Sequence, residues 1–176
     1  MLRVGQLRDL LHLSPDAFAE RVGRFTLIQR PPEAVFANVG TQLSSAKTVW
    51  MAHRSRVGQR VIDMLRGFDH LEVIDMKPGP QSRDFVVGRL ADCDVVVTDP
   101  SVSQKHARLR WNAETEICFV KDLGSLNGTF VNAREIHDTE LFLVDGDTVA
   151  FGDVTFIFFR ADTLYAQLSS QAPAKT

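Results

Sequence analysis

Two β-prone runs separated by a loop with an Asn-Gly pair narrow the fold of this chain more than any other feature. The first run lies in Glu116 to Asp122, where Ile117, Phe119 and Lys121 fall on one face and Cys118 and Val120 on the other, the period of a strand. The second is Thr129-Phe130-Val131. Between them, Gly124 and Asn127-Gly128 favour tight turns and left-handed backbone angles. Such a loop holds polar side chains in fixed directions at the rim of a sheet. Taken alone, it is a hairpin connection.

The surrounding sequence extends the strand pattern. A first strand is expected over His70 to Asp75, followed by a turn at Lys77 to Pro80, a second over Phe85 to Val87 and a third over Asp94 to Val97. His106, Arg108 and Arg110 alternate with Ala107, Leu109 and Trp111, a half-buried strand whose apolar set faces a core. Further strands are expected at 117–120, 129–131, 141–143, 148–151 and 154–159, with turn residues such as Asp145-Gly146-Asp147 between them. Many short strands so punctuated describe a mainly β protein, an antiparallel sandwich.

The first part of the chain has a different period. Leu2, Leu7, Leu10, Leu11 and Leu13 form a short apolar face, and Ser14-Pro15-Asp16 is a helix start with Ser as N-cap and Gly23 as the stop. Phe25 to Ile28 is a brief β-like run, and Pro32-Glu33 opens a further helical stretch. A basic amphipathic helix is expected from Ser44 or Ser45 to about Arg66, with Trp50, Val57, Val61, Met64 and Leu65 on its apolar face. Residues 1–68 thus read as a helical N-terminal segment, 69–160 as the sandwich, and 161–176 as a short helix started by Asp162 and a disordered tail. Met1 to Phe68 carries ten Lys/Arg against five Asp/Glu, and Asp69 to Thr176 ten against seventeen. The basic half is therefore expected to dock on the acidic one, with apolar cover for residues such as Leu10, Phe36 and Trp50.

Composition bounds the function. A 176-residue chain with 44% hydrophobic and 24% charged residues is ordinary for a globular protein. No run approaches the roughly 18 apolar residues of a membrane span, and Arg3, Arg8 and Asp9 interrupt the N-terminal leucines, so a signal peptide is a poor reading. Cys93 and Cys118 lie in strand-like segments with no metal-ligand partners at useful spacing, which suits buried thiols in a reducing, cytoplasmic compartment. The stretch LRDLLHLSPDAFAERVG resembles the opening helices of a helix-turn-helix. FTLIQRPPE follows where a recognition helix belongs, and its prolines forbid one, so nucleic acid is not an expected partner.

Four motifs in order carry a resemblance: Gly88-Arg89, Ser103-x-x-His106, Asn127-Gly128-Thr129, and Asp145-Gly146-Asp147 with a following Phe151-Gly152. Over about His70 to Arg160 the chain resembles the forkhead-associated (FHA) domain. The resemblance implies an FHA-type β-sandwich that reads phosphothreonine in proteins modified by a Ser/Thr kinase, or in the kinase itself, as a signalling adaptor without a cofactor.

That task needs a particular chemistry. A phosphorylated residue brings about −1.5 to −2 charge and several strong acceptor oxygens. An arginine fork meets two oxygens at once, a hydroxyl adds a neutral donor, and an amide side chain clamps an extended peptide backbone. By resemblance, Arg89 matches the phosphate-binding arginine, Ser103 the hydroxyl donor and Asn127 the residue that holds the ligand backbone. Gln104 occupies a position that often contacts peptide or phosphate. His106 matches a structural histidine, and Gly88 and Gly128 match glycines needed for backbone geometry. Leu126 departs from the pattern, because the family often has Thr, Ser or Arg there. One phosphate donor is therefore missing, for which Lys105 or a loop N–H would compensate.

Other readings of the same residues exist. Arg89 has Asp92, Asp94 and Asp99 nearby in sequence as ordinary ion-pair partners, and Ser103 is also a turn-capping residue type. The alternative function is a phosphate-independent interaction scaffold on the same fold. Catalysis is disfavoured: Asp99, Ser103 and His106 crowd one loop instead of forming a spaced relay. No nucleophile elbow, phosphate-binding Gly-x-x-x-x-Gly-Lys loop or metal-spaced cluster is present in the sequence.

Overall fold

The computed structural model describes residues 2–30, 69–77 and 83–170. In chain order these form β1 (Leu2–Arg3), α1 (Val4–Asp9), a 3-10 turn (Leu10–His12), α2 (Pro15–Val22), β2 (Phe25–Gln29), β3 (Glu72–Met76), β4 (Arg83–Gly88) and β5 (Val95–Val96). After them come β6 (Ala107–Asn112), β7 (Ile117–Asp122), β8 (Thr129–Val131), β9 (Arg134–Ile136), β10 (Leu141–Leu143), β11 (Thr148–Phe151), β12 (Val154–Arg160) and α3 (Ala161–Ser169). The amphipathic helix expected at 44–66, the turn residues 78–80 and the tail 171–176 lie outside the described residues.

The strands make two sheets, one ordered β1-β3-β2-β12-β11-β8-β9 and one ordered β10-β7-β6-β4-β5. All pairings are antiparallel except β4 with β5. Inward-facing side chains of both sheets share one core, in which Phe25 meets Phe85 edge-on at 5.8 Å and stacks on Trp111 at 5.4 Å. The alternation holds over 107–111, where Ala107, Leu109 and Trp111 are buried and Arg108 and Arg110 half-exposed; His106, expected on the outer face with the two arginines, is instead fully buried just before the strand. The chain is mainly β, a two-sheet sandwich with short helices at its N-terminus.

A second apolar layer lies on the other face of the larger sheet. Ile28, Val73, Ile157 and Phe159 point into it, and Val4, Leu7, Phe18, Val22, Leu164 and Leu168 of the helices cover them. Two-sided cover explains why β2 and β12 read as near-continuous apolar runs. Phe156 and Phe158 face the sandwich core while Ile157 and Phe159 face the helices. At about 1.5–3 kcal/mol for each large apolar side chain buried, this second layer is a substantial share of the fold's stabilisation.

Ser14 caps α2 as its residue type suggests, accepting a hydrogen bond from the Ala17 N–H at 3.3 Å, and Gly23 ends the helix at φ 102°. The following run, Phe25–Gln29, is a strand between β3 and β12, which excludes a recognition helix immediately after α2. Residues 2–30 therefore dock on the sandwich chiefly through apolar packing and strand pairing, with Arg8 reaching Asp69 at 2.5 Å. The boundary expected at residue 68 divides the chain but not the sheet, because β2 from the first segment lies inside the larger sheet, between β3 and β12. At α3 the expected cap is displaced: Arg160 holds the N-cap position without a side-chain cap, and Asp162 sits in the first turn. Asp145 satisfies the helix start instead, accepting from the Arg160 N–H at 2.6 Å and the Thr163 hydroxyl at 2.9 Å.

Candidate functional site

The loops at one end of the sandwich converge because β4 ends on a glycine. A Cβ built on Gly88 would stand 2.2 Å from the Gln104 carbonyl oxygen; only a residue without one lets the 99–106 loop lie against the end of β4. Once there, the loop is held by backbone bonds from Arg89 N–H to Ser103 O (3.0 Å), Leu90 N–H to Gln104 O (3.3 Å) and His106 N–H to Val87 O (2.8 Å). Val102 is buried beneath the loop. Asp99 folds the loop's start, accepting from the N–H and hydroxyl of Ser101 at 2.9 and 2.6 Å. The Ser101 hydroxyl and its N–H hold the Asp99 carboxyl below the usual carboxylate range.

The second loop, between β7 and β8, is organised by Asp122. Its Oδ2 accepts from the N–H groups of Gly124 (2.8 Å) and Ser125 (2.9 Å), and its Oδ1 from the hydroxyls of Ser125 and Thr129, each at 2.6 Å. Burial is the largest influence on Asp122 and pushes its carboxyl upward, but the hydrogen bonds from Ser125, Thr129 and Gly124 together outweigh it and leave the group below the ordinary range. The Ser125 hydroxyl is thereby turned into the loop.

His106 joins the two loops. Its Nδ1 accepts from the Ser103 N–H at 3.0 Å, so Nε2 carries the ring hydrogen and donates to the Gly128 carbonyl at 3.0 Å. Burial holds its pKa below the ordinary histidine value, against the opposing pull of Gly128 and Asp122. Gly128 has φ 77°, in the left-handed region, and accepts a further bond from the Gly152 N–H. Ser101 completes the junction, accepting at its carbonyl from Asn127 Nδ2 (2.8 Å) and at its hydroxyl from the Asp153 N–H (3.0 Å).

These loops enclose an open groove of about 550 Å³. Arg89, Ser103, Gln104, Lys105 and Asn127 all line it, together with Leu90, Leu126 and residues 100–102. His106, Gly88 and Gly128 stand behind its walls. The charged lining residues are both cations, Arg89 and Lys105. Arg89 donates from Nε to Val102 O at 3.2 Å, which orients the guanidinium, and its terminal nitrogens make no ion pair among the described residues. The acids near it in sequence are engaged elsewhere or apart: Asp94 accepts from Arg83 and from the Val86 N–H at 2.9 Å, and Asp99 is taken by Ser101. The Ser103 hydroxyl accepts from the Leu126 N–H at 3.0 Å, which leaves its own hydrogen to donate outward.

Asp122 and Ser101 are the organisers that sequence reasoning passed over. Both belong to patterns, Asp122-x-Gly-Ser and Asp99-Pro-Ser, whose short polar side chains bond the backbone two or three residues on.

A two-sheet sandwich whose loops gather an arginine without an ion pair among the described residues, a hydroxyl and an amide at one groove defines a recognition module built on loop ends. Residues 85–152 match the family model of the FHA domain. That stretch is similar to an FHA domain, a family of binding modules, and short helices precede it among the described residues. The chain is 39% identical over 75 residues to the FHA domain-containing protein PS1 of Arabidopsis thaliana, a match over 42% of this chain and 5% of that protein. It is 42% identical over 71 residues to the glycogen accumulation regulator GarA of Mycobacterium tuberculosis, over 40% of this chain and 41% of that protein. The chain thus spans less than half the length of these curated relatives. The FHA domain of the CT664 protein from Chlamydia trachomatis is similar in fold, with a TM-score of 0.50 at 20% identity over 77% of this chain and 96% of that one.

Proposed function

We propose that the groove binds phosphothreonine-containing peptides and that the protein is an adaptor in Ser/Thr-kinase signalling, with no catalytic activity of its own. The observation that carries this reading is the Arg89 guanidinium, oriented through Nε beside the Ser103 hydroxyl, with no ion pair at its terminal nitrogens among the described residues. Arg89 engages two phosphate oxygens, Ser103 donates a third bond, and Lys105 supplies the second positive charge where Leu126 offers no donor. Asn127 holds the ligand backbone through the amide oxygen that its bond to Ser101 leaves available, and Gln104 contacts the peptide beside it. His106, Gly88 and Gly128 keep the loops in register.

Homologous FHA domains act as phosphothreonine-dependent adaptors, which supports the same assignment. The recognition unit spans 69–160, with β2 from the 1–68 segment completing its larger sheet and α3 packed with the N-terminal helices on that sheet's outer face. Cys93 and Cys118 are unpaired and buried, in keeping with a cytoplasmic setting; among the described residues no helix is long and apolar enough to cross a membrane. Partners are phosphothreonine-bearing proteins or the kinase that modifies them. Profiling the chain against an oriented phosphothreonine peptide library beside unphosphorylated controls tests the assignment. Phosphate-dependent retention is expected, and equal retention of both sets favours a phosphate-independent scaffold.

A further inference from the structure

We propose that Asn127 is a site of self-modification, at which the backbone nitrogen of Gly128 displaces the side-chain amide as ammonia and the product no longer holds an anionic ligand. The three asparagines among the described residues are held differently. Asn112 accepts at Oδ1 from the Glu114 and Thr115 N–H groups, and Asn132 donates to Asp147 and accepts from the Thr148 N–H. Each of these is followed by an alanine, whose Cβ shields its own peptide nitrogen. Asn127 is exposed, is followed by a glycine, and makes one side-chain hydrogen bond, from Nδ2 to the Ser101 carbonyl at 2.8 Å. The loop is anchored on either side, at the Leu126 N–H and the Gly128 carbonyl. The peptide unit between Asn127 and Gly128 is not: neither its carbonyl nor its N–H makes a hydrogen bond among the described residues. That unit must turn to bring the nitrogen to Cγ, and Gly128, at φ 77°, has no Cβ to oppose the turn.

The step balances without an oxidant or reductant. The Gly128 nitrogen gives up its proton and attacks Asn127 Cγ, the N–Cγ bond forms, and the Cγ–Nδ2 bond breaks as ammonia leaves with a proton. Water then opens the five-membered imide at either carbonyl, leaving aspartate or isoaspartate. A carboxylate oxygen now stands where Nδ2 donated to Ser101, so two acceptors face each other and the tie between the two loops is lost. The new negative charge also lies in the groove that Arg89 and Lys105 line, where it competes with a phosphate for both cations. The effect on a ligand rests on the phosphopeptide reading above, in which a bound peptide holds the same amide and delays its loss; the modification itself does not.

The test incubates the full chain at mildly alkaline pH, with and without a saturating phosphothreonine peptide retained from the library. Proteolytic peptides are followed by mass spectrometry, with enzymatic isoaspartate methylation marking the product. Asn127 is expected to lose its amide about tenfold faster than Asn112 or Asn132, the share of the additional hydrogen bond holding each of those. Bound peptide should slow the loss by about tenfold, through a second hold on the amide. Modified protein separated by anion exchange should melt as a folded chain and bind the phosphopeptide at least about tenfold more weakly, and Asn127→Asp should reproduce that loss. An amide that stays on Asn127 in the folded chain while the urea-unfolded chain sheds it, or a loss no faster than at Asn112 and Asn132, overturns the modification. Modified protein that binds as before, or a bound peptide that delays nothing, overturns its link to the groove. If phosphorylation makes no difference to peptide binding, the phosphate reading fails, while the mass of the Asn127 peptide still decides the modification.

Discussion

His106 and Gly128, twenty-two residues apart, meet at 3.0 Å from ring nitrogen Nε2 to carbonyl oxygen, while the other ring nitrogen, Nδ1, accepts the Ser103 N–H. One buried side chain thereby sets the distance between the loop carrying Ser103 and the loop carrying Asn127. His106→Ala should leave the Ser103 N–H without a partner and the Gly128 carbonyl with the Gly152 N–H alone, at a cost of roughly 1–3 kcal/mol for the orphaned donor. Ser103→Ala removes a hydroxyl at the groove surface and should change stability by less than about 1 kcal/mol while weakening peptide binding. Parallel denaturant melts and calorimetry separate the two. Equal melts for both variants and wild type would show that His106 braces nothing.

The same ring predicts a pH dependence. Its folded pKa is lowered by burial, so between that value and the unfolded value of about 6.5 the unfolded chain binds a proton that the folded chain refuses. The His106 contribution to stability is full above about pH 6.5 and falls as pH drops below it, by at most about 1.4 kcal/mol per unit. Protonation would also set an Nδ1 hydrogen against the Ser103 N–H. Denaturant midpoints measured between pH 7.5 and 5 should fall more steeply for wild type than for His106→Gln, which carries no titrating ring.

Asp122 should prove the most sensitive acid of the site. Asp122→Ala strips four hydrogen bonds from the β7–β8 loop and orphans the hydroxyl of the fully buried Thr129. We expect a loss of roughly 2–4 kcal/mol, with faster hydrogen exchange at Gly124 and Ser125. Because its folded pKa lies below the ordinary value, the ionised carboxylate stabilises the fold above about pH 3.9, and that contribution disappears as pH falls through the folded value. Wild-type exchange rates in the variant would contradict this.

A methyl group at Gly88 cannot be accommodated by a side-chain shift, since the atom it meets at 2.2 Å is a backbone oxygen. Gly88→Ala should either push the 99–106 loop off the end of β4 or unfold the edge of the smaller sheet. An order-of-magnitude cost above about 2 kcal/mol is expected, together with loss of peptide binding. A variant with wild-type melting and binding would show that the loop shifts without penalty.

Much of this was legible in the sequence because the signals were local. Ser14-Pro15 marked α2, the alternation from His106 to Trp111 marked β6, and Asn127-Gly128 marked the loop that faces the groove. The course of β2 was less legible. Phe25 to Ile28 looked extended, but nothing within five residues says that their partners are Val73 to Met76 and Ile157 to Arg160. The two-sided burial of β12 likewise depends on helices from the far end of the chain. At the site, residue types suggested Arg89, Ser103 and Asn127. The supporting roles of Asp122 and Ser101 there, and of Asp145 at the start of α3, depend on short side chains finding backbone N–H groups, which residue type permits without specifying.

The central claim is that Arg89 meets a phosphate. Titrating the full chain with a phosphothreonine peptide from the library and with its unphosphorylated twin, for wild type and for Arg89→Ala, tests it most directly. Wild type should bind the phosphorylated peptide far more tightly than its twin. Arg89→Ala should lose roughly 2–5 kcal/mol of that binding, as expected when a desolvated charge loses its partner, with its melting curve unchanged because Arg89 is exposed. Phosphopeptide affinity that survives Arg89→Ala in a folded variant, or equal affinity for the two peptides in wild type, would contradict the account.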